Sequence, residues 1–261
     1  MIKLIASDMD GTLLNDKNEI HEEFYNVFEE LKKKDIIFAA ASGRQYYTLV
    51  KQFDSVKDDM MFIAENGTYV VYKGEEILLN SLNKETAIEL IKIGRNIKES
   101  YIVLSGKKSA YIESDDERLV NEVKKYCEKY KIVKDLTKVE DDILKFTICD
   151  FIGSEKNSVT YYNDYKDKLQ VSISGTIWLD IMDKGTNKGF AINKLQNLLN
   201  IKHEETMVFG DYLNDLEMMK SAYHSYAMEN AHEDLKKVAR FRAKKNTENG
   251  VVEKIKEVLN I

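Results

Sequence analysis

Four aspartates stand in two short segments of this 261-residue chain. Asp8 and Asp10 lie in Asp8-Met9-Asp10-Gly11-Thr12, and Asp211 and Asp215 lie in Gly210-Asp211-Tyr212-Leu213-Asn214-Asp215. If the fold brings both segments together, four carboxylates share one small volume. Their repulsion would then leave some of them protonated at neutral pH. A bound divalent cation relieves that repulsion. A site built from oxygen donors, with no His or Cys, selects a hard ion, Mg2+ first. Ser42-Gly43-Arg44 adds a hydroxyl and backbone N–H groups at a helix start, which suit an anion. Lys188 falls at the start of another predicted helix, where positive charge opposes the macrodipole. It either answers a bound phosphate or points into water.

These groups need elements that place them. Ile2–Ser7, Ile36–Ala41, Met61–Ala64 and Thr206–Phe209 are short apolar runs, read as buried strands. Amphipathic stretches at about His21–Lys34, Arg44–Phe53, Lys188–Leu199, Leu213–Lys220 and Val251–Leu259 read as helices, and Tyr223–Ala227 as a further strand. Strands alternating with helices predict a parallel sheet covered on both faces. In such sheets ligands bind beyond the carboxyl ends of the strands, and the segments named above follow strands there. Tyr69–Tyr72 and Ile77–Leu79 read as a hairpin.

The texture changes between residues 83 and 183. Helices are predicted at Glu85–Lys98 and Asp116–Lys131. Strands are predicted at Tyr101–Leu104, Ala110–Glu113, Lys145–Phe151, Leu169–Ser174 and Ile177–Met182. The expected class is therefore α/β: a Rossmann-like doubly wound core, residues 1–82 and 184–261, interrupted by an inserted α+β module, residues 83–183.

Composition narrows the function classes. Thirty-nine Lys and Arg against 45 Asp and Glu leave a net charge of −6, a poor basis for binding nucleic acid or an anionic membrane. The lysine runs read as solvated helix faces. No apolar run is long enough to span a bilayer, and Lys3, Asp8 and Asp10 interrupt any signal-peptide pattern, so a cytoplasmic protein is expected. The two cysteines, Cys127 and Cys149, form no disulfide framework and read as buried neutral thiols. His21, His203, His224 and His232 lack metal-ligand spacing. Trp178 and the tyrosines of the inserted module read as core rather than as a ring-stacking site. The chain contains no proline, so Gly, Asn and Asp must make its turns.

Taken together, the motifs resemble those of the haloacid dehalogenase superfamily over nearly the whole chain. Asp8-Met9-Asp10-Gly11-Thr12 looks like its first motif, Ser42 its second, Lys188 its third, and Gly210-Asp211-x-x-Asn214-Asp215 its fourth. Ala64-Glu65-Asn66-Gly67, Ala227-Met228-x-Asn230-Ala231 and Gly250-Val251 are similar to the Cof-type subgroup, which carries an α/β cap between the second and third motifs. Asp183 and Glu229 depart from the residues usual in that subgroup.

The resemblance implies Mg2+-dependent hydrolysis of a small phosphomonoester. It makes Asp8 the nucleophile and Asp10 the general acid and base. The metal would be held by Asp8, the Asp10 backbone carbonyl and Asp211, with Asp215 in support. Ser42, Gly43, Lys188 and Asn214 would hold the phosphate. The implied partner is a sugar phosphate, a phosphorylated cofactor or a nucleotide-like ester. A phosphomutase shares the nucleophile and cap type. A dehalogenase has no need of an acid at position 10. A binding protein that keeps the fold without catalysis is the alternative from another class. Oligomeric state is not readable from the sequence.

Overall fold

Most of the apolar runs become strands, as the computed structural model of residues 1–261 shows. In chain order the elements begin with β1 (Leu4–Ser7), α1 (Glu23–Lys33), β2 (Ile37–Ala41), α2 (Tyr46–Gln52), β3 (Met61–Ala64), β4 (Tyr69–Tyr72) and β5 (Glu75–Leu79). There follow α3 (Lys84–Gly94), β6 (Ser100–Gly106), β7 (Ala110–Ile112), α4 (Glu117–Tyr126), β8 (Tyr130–Ile132), β9 (Ile143–Asp150), β10 (Leu169–Gly175) and β11 (Trp178–Asp183). The chain ends with α5 (Lys188–Leu199), β12 (Thr206–Gly210), α6 (Leu216–Lys220), β13 (His224–Met228), α7 (Glu233–Val238), β14 (Phe241–Ala243) and α8 (Gly250–Leu259).

Two compact units result. One comprises Met1–Gly43, Ser55–Glu76 and Asn187–Ile261; the other comprises Arg44–Asp54 and Ile77–Thr186. The first unit is built on a sheet of order β14-β13-β12-β1-β2-β3-β4-β5, parallel from β14 to β3. β4 then runs antiparallel to β3. β1 lies at the centre, with Ser7 in register with Phe209 on one side and Ala40 on the other. The chain winds to one side of β1 and then to the other, so the loops after β1, β2 and β12 meet at one sheet edge. α1 covers this sheet through Phe24, Val27, Phe28 and Leu31, an apolar stripe at helical spacing. Phe24 meets the Phe38 ring edge-on at 5.0 Å, and both are buried.

The second unit holds a mostly antiparallel sheet of order β10-β11-β9-β6-β7-β8. Side-chain alternation divides its apolar residues between two cores. Ile102, Leu104, Phe146 and Ile148 pack with Leu90 and Ile91 of α3. Val103, Ala110, Ile112 and Cys149 pack with Leu119 and Val123 of α4. Trp178 and Tyr126 meet edge-on beside this second core. α2 belongs here too. The Gln45 side chain donates to the Lys129 carbonyl and accepts from the Lys129 N–H, both at 2.9 Å, and Thr48 Oγ1 donates to the Tyr126 carbonyl.

Local differences from the expected elements have identifiable causes. The helix expected to reach Lys131 stops at Tyr126, because Cys127 is extended and Tyr130–Ile132 is recruited as a strand beside β7. Cys127 is only half-buried, whereas Cys149 is fully buried, its thiol pushed up to about 12 by that burial. Glu85–Lys98 is cut short at Gly94, and Glu99 takes a left-handed turn into β6. α7 and β14 were not legible: each is short and lies in a stretch crowded with Lys and Arg. No helix is long and apolar enough to cross a membrane.

The aromatic contact between α1 and β2 provides a stability test of the first unit. Phe38→Ala removes a buried ring from a packed cluster and is expected to cost ~3–5 kcal/mol in a denaturant titration. A loss below about 1 kcal/mol would show that the cluster does not carry this packing.

Candidate active site

β1 ends at Ser7, and the chain enters a wide turn over Met9–Leu13. Asp8, at the head of that turn, is buried, and its N–H donates to the Phe209 carbonyl at 2.9 Å. Asp10 is exposed on the same turn. Beyond β2, Ser42 is buried, and its backbone bonds to Ile63 and Asn66 beside β3. Beyond β12, Asp211 is partly buried and Asp215 fully buried. The Asp215 carboxylate accepts from the N–H groups of Asp211 and Tyr212 at 3.1 and 3.3 Å. Asn214, between them, is exposed and donates to Asn66 Oδ1.

Lys188 opens α5, where Asn187 caps the helix by accepting from the Phe190 N–H at 2.8 Å. The lysine does not point into water. It is wholly buried, and its ammonium bonds Asp8 Oδ1 and, at 2.7 Å, Asp215 Oδ1. Three of the four expected carboxylates converge here: one oxygen each of Asp8, Asp211 and Asp215 lie within 4.8 Å of one another. Thr12 Oγ1 donates to Asp211 Oδ1 at 3.1 Å. The fourth, Asp10, stays at the solvent side of the turn.

Crowding and burial shape the charges. Burial raises the Asp8 carboxyl well above its ordinary value, with Asp215 and Asp211 acting in the same direction and Lys188 against them. Asp211 is pushed up to about 6, chiefly by burial and then by Asp215. Burial alone would lower Lys188, yet Asp215 and Asp8 outweigh it and hold the ammonium above its ordinary value. The set consists of oxygen donors carrying excess negative charge, the chemistry that a hard divalent ion satisfies.

Some supporting residues stood in the motifs of the resemblance without an assigned role. Asn230 Nδ2 donates to the Gly11 carbonyl at 2.8 Å, and the His232 N–H donates to the Asp211 carbonyl at 2.8 Å, so the loop after β13 braces both acidic segments. Thr12 and Asn66 complete the surround. The sequence signals were their motif positions and, for Asn66, an Asn-Gly pair directly after a strand, a mark of left-handed backbone.

Comparison with known proteins decides the family. Residues 5–255 match the family described as haloacid dehalogenase-like hydrolase. The chain belongs to the haloacid dehalogenase-like hydrolases. It is of their Cof type, and its chemistry is that of a phosphoric monoester hydrolase. It is 32% identical to the 5-amino-6-(5-phospho-D-ribitylamino)uracil phosphatase YbjI of Escherichia coli, over 99% of this chain and 96% of that protein. It is 26% identical to the phosphatase YcsE of Bacillus subtilis, named for the same substrate, over 98% and 95%. The crystal structure of SMU.1108c from Streptococcus mutans superposes with a TM-score of 0.91 at 30% identity, covering both chains completely.

The raised Asp211 carboxyl carries a pH signature. A folded-state carboxyl titrating above its ordinary value binds a proton that the unfolded chain has already lost. It therefore favours the folded state in acid, and that stability is lost as pH rises. For Asp211 the window runs from 3.8 to about 6. In chelator-treated protein, the melting temperature is expected to fall across this window more steeply than in Asp211→Asn. Parallel profiles for the two proteins would contradict the assignment.

Proposed function

We propose that this hydrolase is a Mg2+-dependent phosphatase of small phosphomonoesters that works through an aspartyl-phosphate formed on Asp8. The observation that carries the reading is the buried Lys188 ammonium bonded to both Asp8 and Asp215, with Asp211 beside them. Three carboxylates against one ammonium fit an oxygen-ligated divalent ion. Asp8, Asp211 and the backbone carbonyl of Asp10 would hold it, with Asp215 in support. A Mg2+ bound there supplies positive charge that favours ionised Asp8 and draws charge from the phosphoryl oxygens.

The chain's own groups do the rest. Lys188 fixes the orientation of Asp8 and neutralises part of the repulsion between carboxylate and phosphate. Ser42, Gly43 and Asn214 hold the phosphoryl oxygens so that Asp8 attacks in line. As the Asp8 oxygen bonds to phosphorus, the ester P–O bond breaks, and Asp10 gives its proton to the leaving oxygen. Asp10 then takes a proton from the water that attacks the acyl-phosphate, releasing inorganic phosphate and restoring Asp8.

The names of the two relatives support 5-amino-6-(5-phospho-D-ribitylamino)uracil, a sugar-alcohol phosphate, as the first compound to test. A small metabolite rather than nucleic acid suits the net charge of −6, and the cytoplasm is the expected setting. In the same reading, residues 83–183 act as the inserted cap that sets substrate choice.

A phosphate-release screen tests the proposal. With Mg2+ and a panel of phosphomonoesters including that compound, turnover is expected in the wild type and abolished by chelation. Asp8→Asn, which keeps the size and one oxygen acceptor, is expected to remain folded and lose about 10⁴-fold or more in kcat. Near-wild-type turnover in that variant would refute the nucleophile, and turnover unchanged after chelation would refute the metal.

A further inference from the structure

The turn after β3 has an unusual backbone. Glu65, Asn66 and Gly67 take φ of 48°, 57° and 95°, three consecutive residues in the left-handed region. Such strain costs on the order of 1 kcal/mol or more per non-glycine residue, so surrounding structure must hold it in place. Asn and Gly suit that region; Glu65 does not. All three residues are buried.

What surrounds the turn is the set of loops named above. The Asn66 N–H donates to the Ser42 carbonyl at 2.9 Å. Asn66 Oδ1 accepts from Asn214 Nδ2 at 3.4 Å, longer than the roughly 2.7–3.2 Å of an ordinary N–H···O bond. The side-chain amide also lies flat against Gly43: a Cβ there would sit 3.1 Å from Oδ1 and 3.2 Å from Nδ2. On the other side, a Cβ at Gly67 would lie 2.5 Å from the carbonyl oxygen of Asn187, the residue before Lys188. The turn is therefore wedged among the residues that precede, follow or constitute three groups assigned to phosphate.

We propose that Asn66 is a positioning residue for phosphoryl transfer, its left-handed backbone fixing the Ser42–Gly43 loop and its carboxamide fixing Asn214, so that loops from β2 and β12 present one rigid phosphate cradle. The inference rests on the proposed role of Ser42, Gly43 and Asn214 in holding phosphate. The Asn66 backbone contributes one constraint and its side chain another, and substitution separates them. Glycine at 66 keeps the left-handed turn and deletes the amide.

The test is a double-mutant cycle with inorganic phosphate as the probe. In the Mg2+-loaded protein, Asn66→Gly is expected to lower kcat/KM by about tenfold or more and to raise the inhibition constant for inorganic phosphate in parallel, with the melting temperature little changed. Asn214→Ala is expected to do the same, and the double variant to be no worse than the more affected single one. Gly43→Ala, whose methyl presses on the amide, is expected to lose activity in the wild type and regain part of it in the Asn66→Gly background. Full additivity of Asn66→Gly with Asn214→Ala, or an unchanged phosphate inhibition constant in Asn66→Gly, overturns the positioning role while leaving the phosphatase reading intact. If Asn66→Gly unfolds, the Gly43→Ala arm is repeated with Asn66→Ser, which removes the amide beside Gly43; absence of any rescue there is equally contrary. Unchanged phosphate affinity in Asn214→Ala overturns the cradle itself, and the inference with it.

Discussion

A buried ammonium held between two buried carboxylates organises the first unit. Lys188 is sealed from water, and so is Asp215. Desolvating such charges costs several kcal/mol each, and only close, well-directed bonds offset it. Those bonds span elements far apart in sequence: Asp8 follows β1, Lys188 opens α5, and Asp215 precedes α6. The pairing therefore requires the sheet order, the crossover geometry and the capped start of α5 at once. Replacing Lys188 would leave Asp8 and Asp215 as uncompensated buried carboxylates, whereas neutralising Asp8 leaves the ammonium paired with Asp215.

Around that centre, backbone amides and side-chain amides do the orienting. Asp215 is tied to its own loop by two N–H groups, Asp211 is braced by Thr12 and by the backbone at His232, and Gly11 by Asn230. None of these needs a large side chain, which suits a chain that has no proline and turns on Asn and Gly instead. The second unit follows a different logic. Its sheet is sealed by two apolar cores; the network of Arg95 with Glu113 and Asp135 faces solvent, while Thr147 Oγ1 donates to Asp180 Oδ1 at 2.7 Å within the sheet, both residues buried.

The sequence revealed the acidic segments because an apolar strand followed at once by aspartate and glycine is a local pattern. The strand-helix alternation was local as well, and so was the position of the inserted module's texture change. What stayed hidden depended on distance or on competition. Nothing near Lys188 in sequence tells whether its side chain meets water or Asp8, 180 positions away. The helix expected to run through Cys127 lost to a strand pairing with β7 that no window of the sequence contains. Asp10 shares its segment with Asp8, but the turn over Met9–Leu13 sends the two carboxyls to different environments, one buried and one exposed. Asn66 stood in a motif of the resemblance without a role, since its neighbours at Ser42 and Asn214 are set by topology alone.

Gly189 stands immediately after the buried lysine. There α5 approaches α6 so closely that a Cβ would fall 2.3 Å from the Glu217 carbonyl oxygen. Contact of main chain on main chain thus sets the distance between the helix that opens with Lys188 and the helix that follows Asp215. A methyl at 189 would have to displace the Glu217 main chain, which lies two residues beyond Asp215. The spacing of the two helices is thus tied to the place of the Asp215 carboxylate that Lys188 meets.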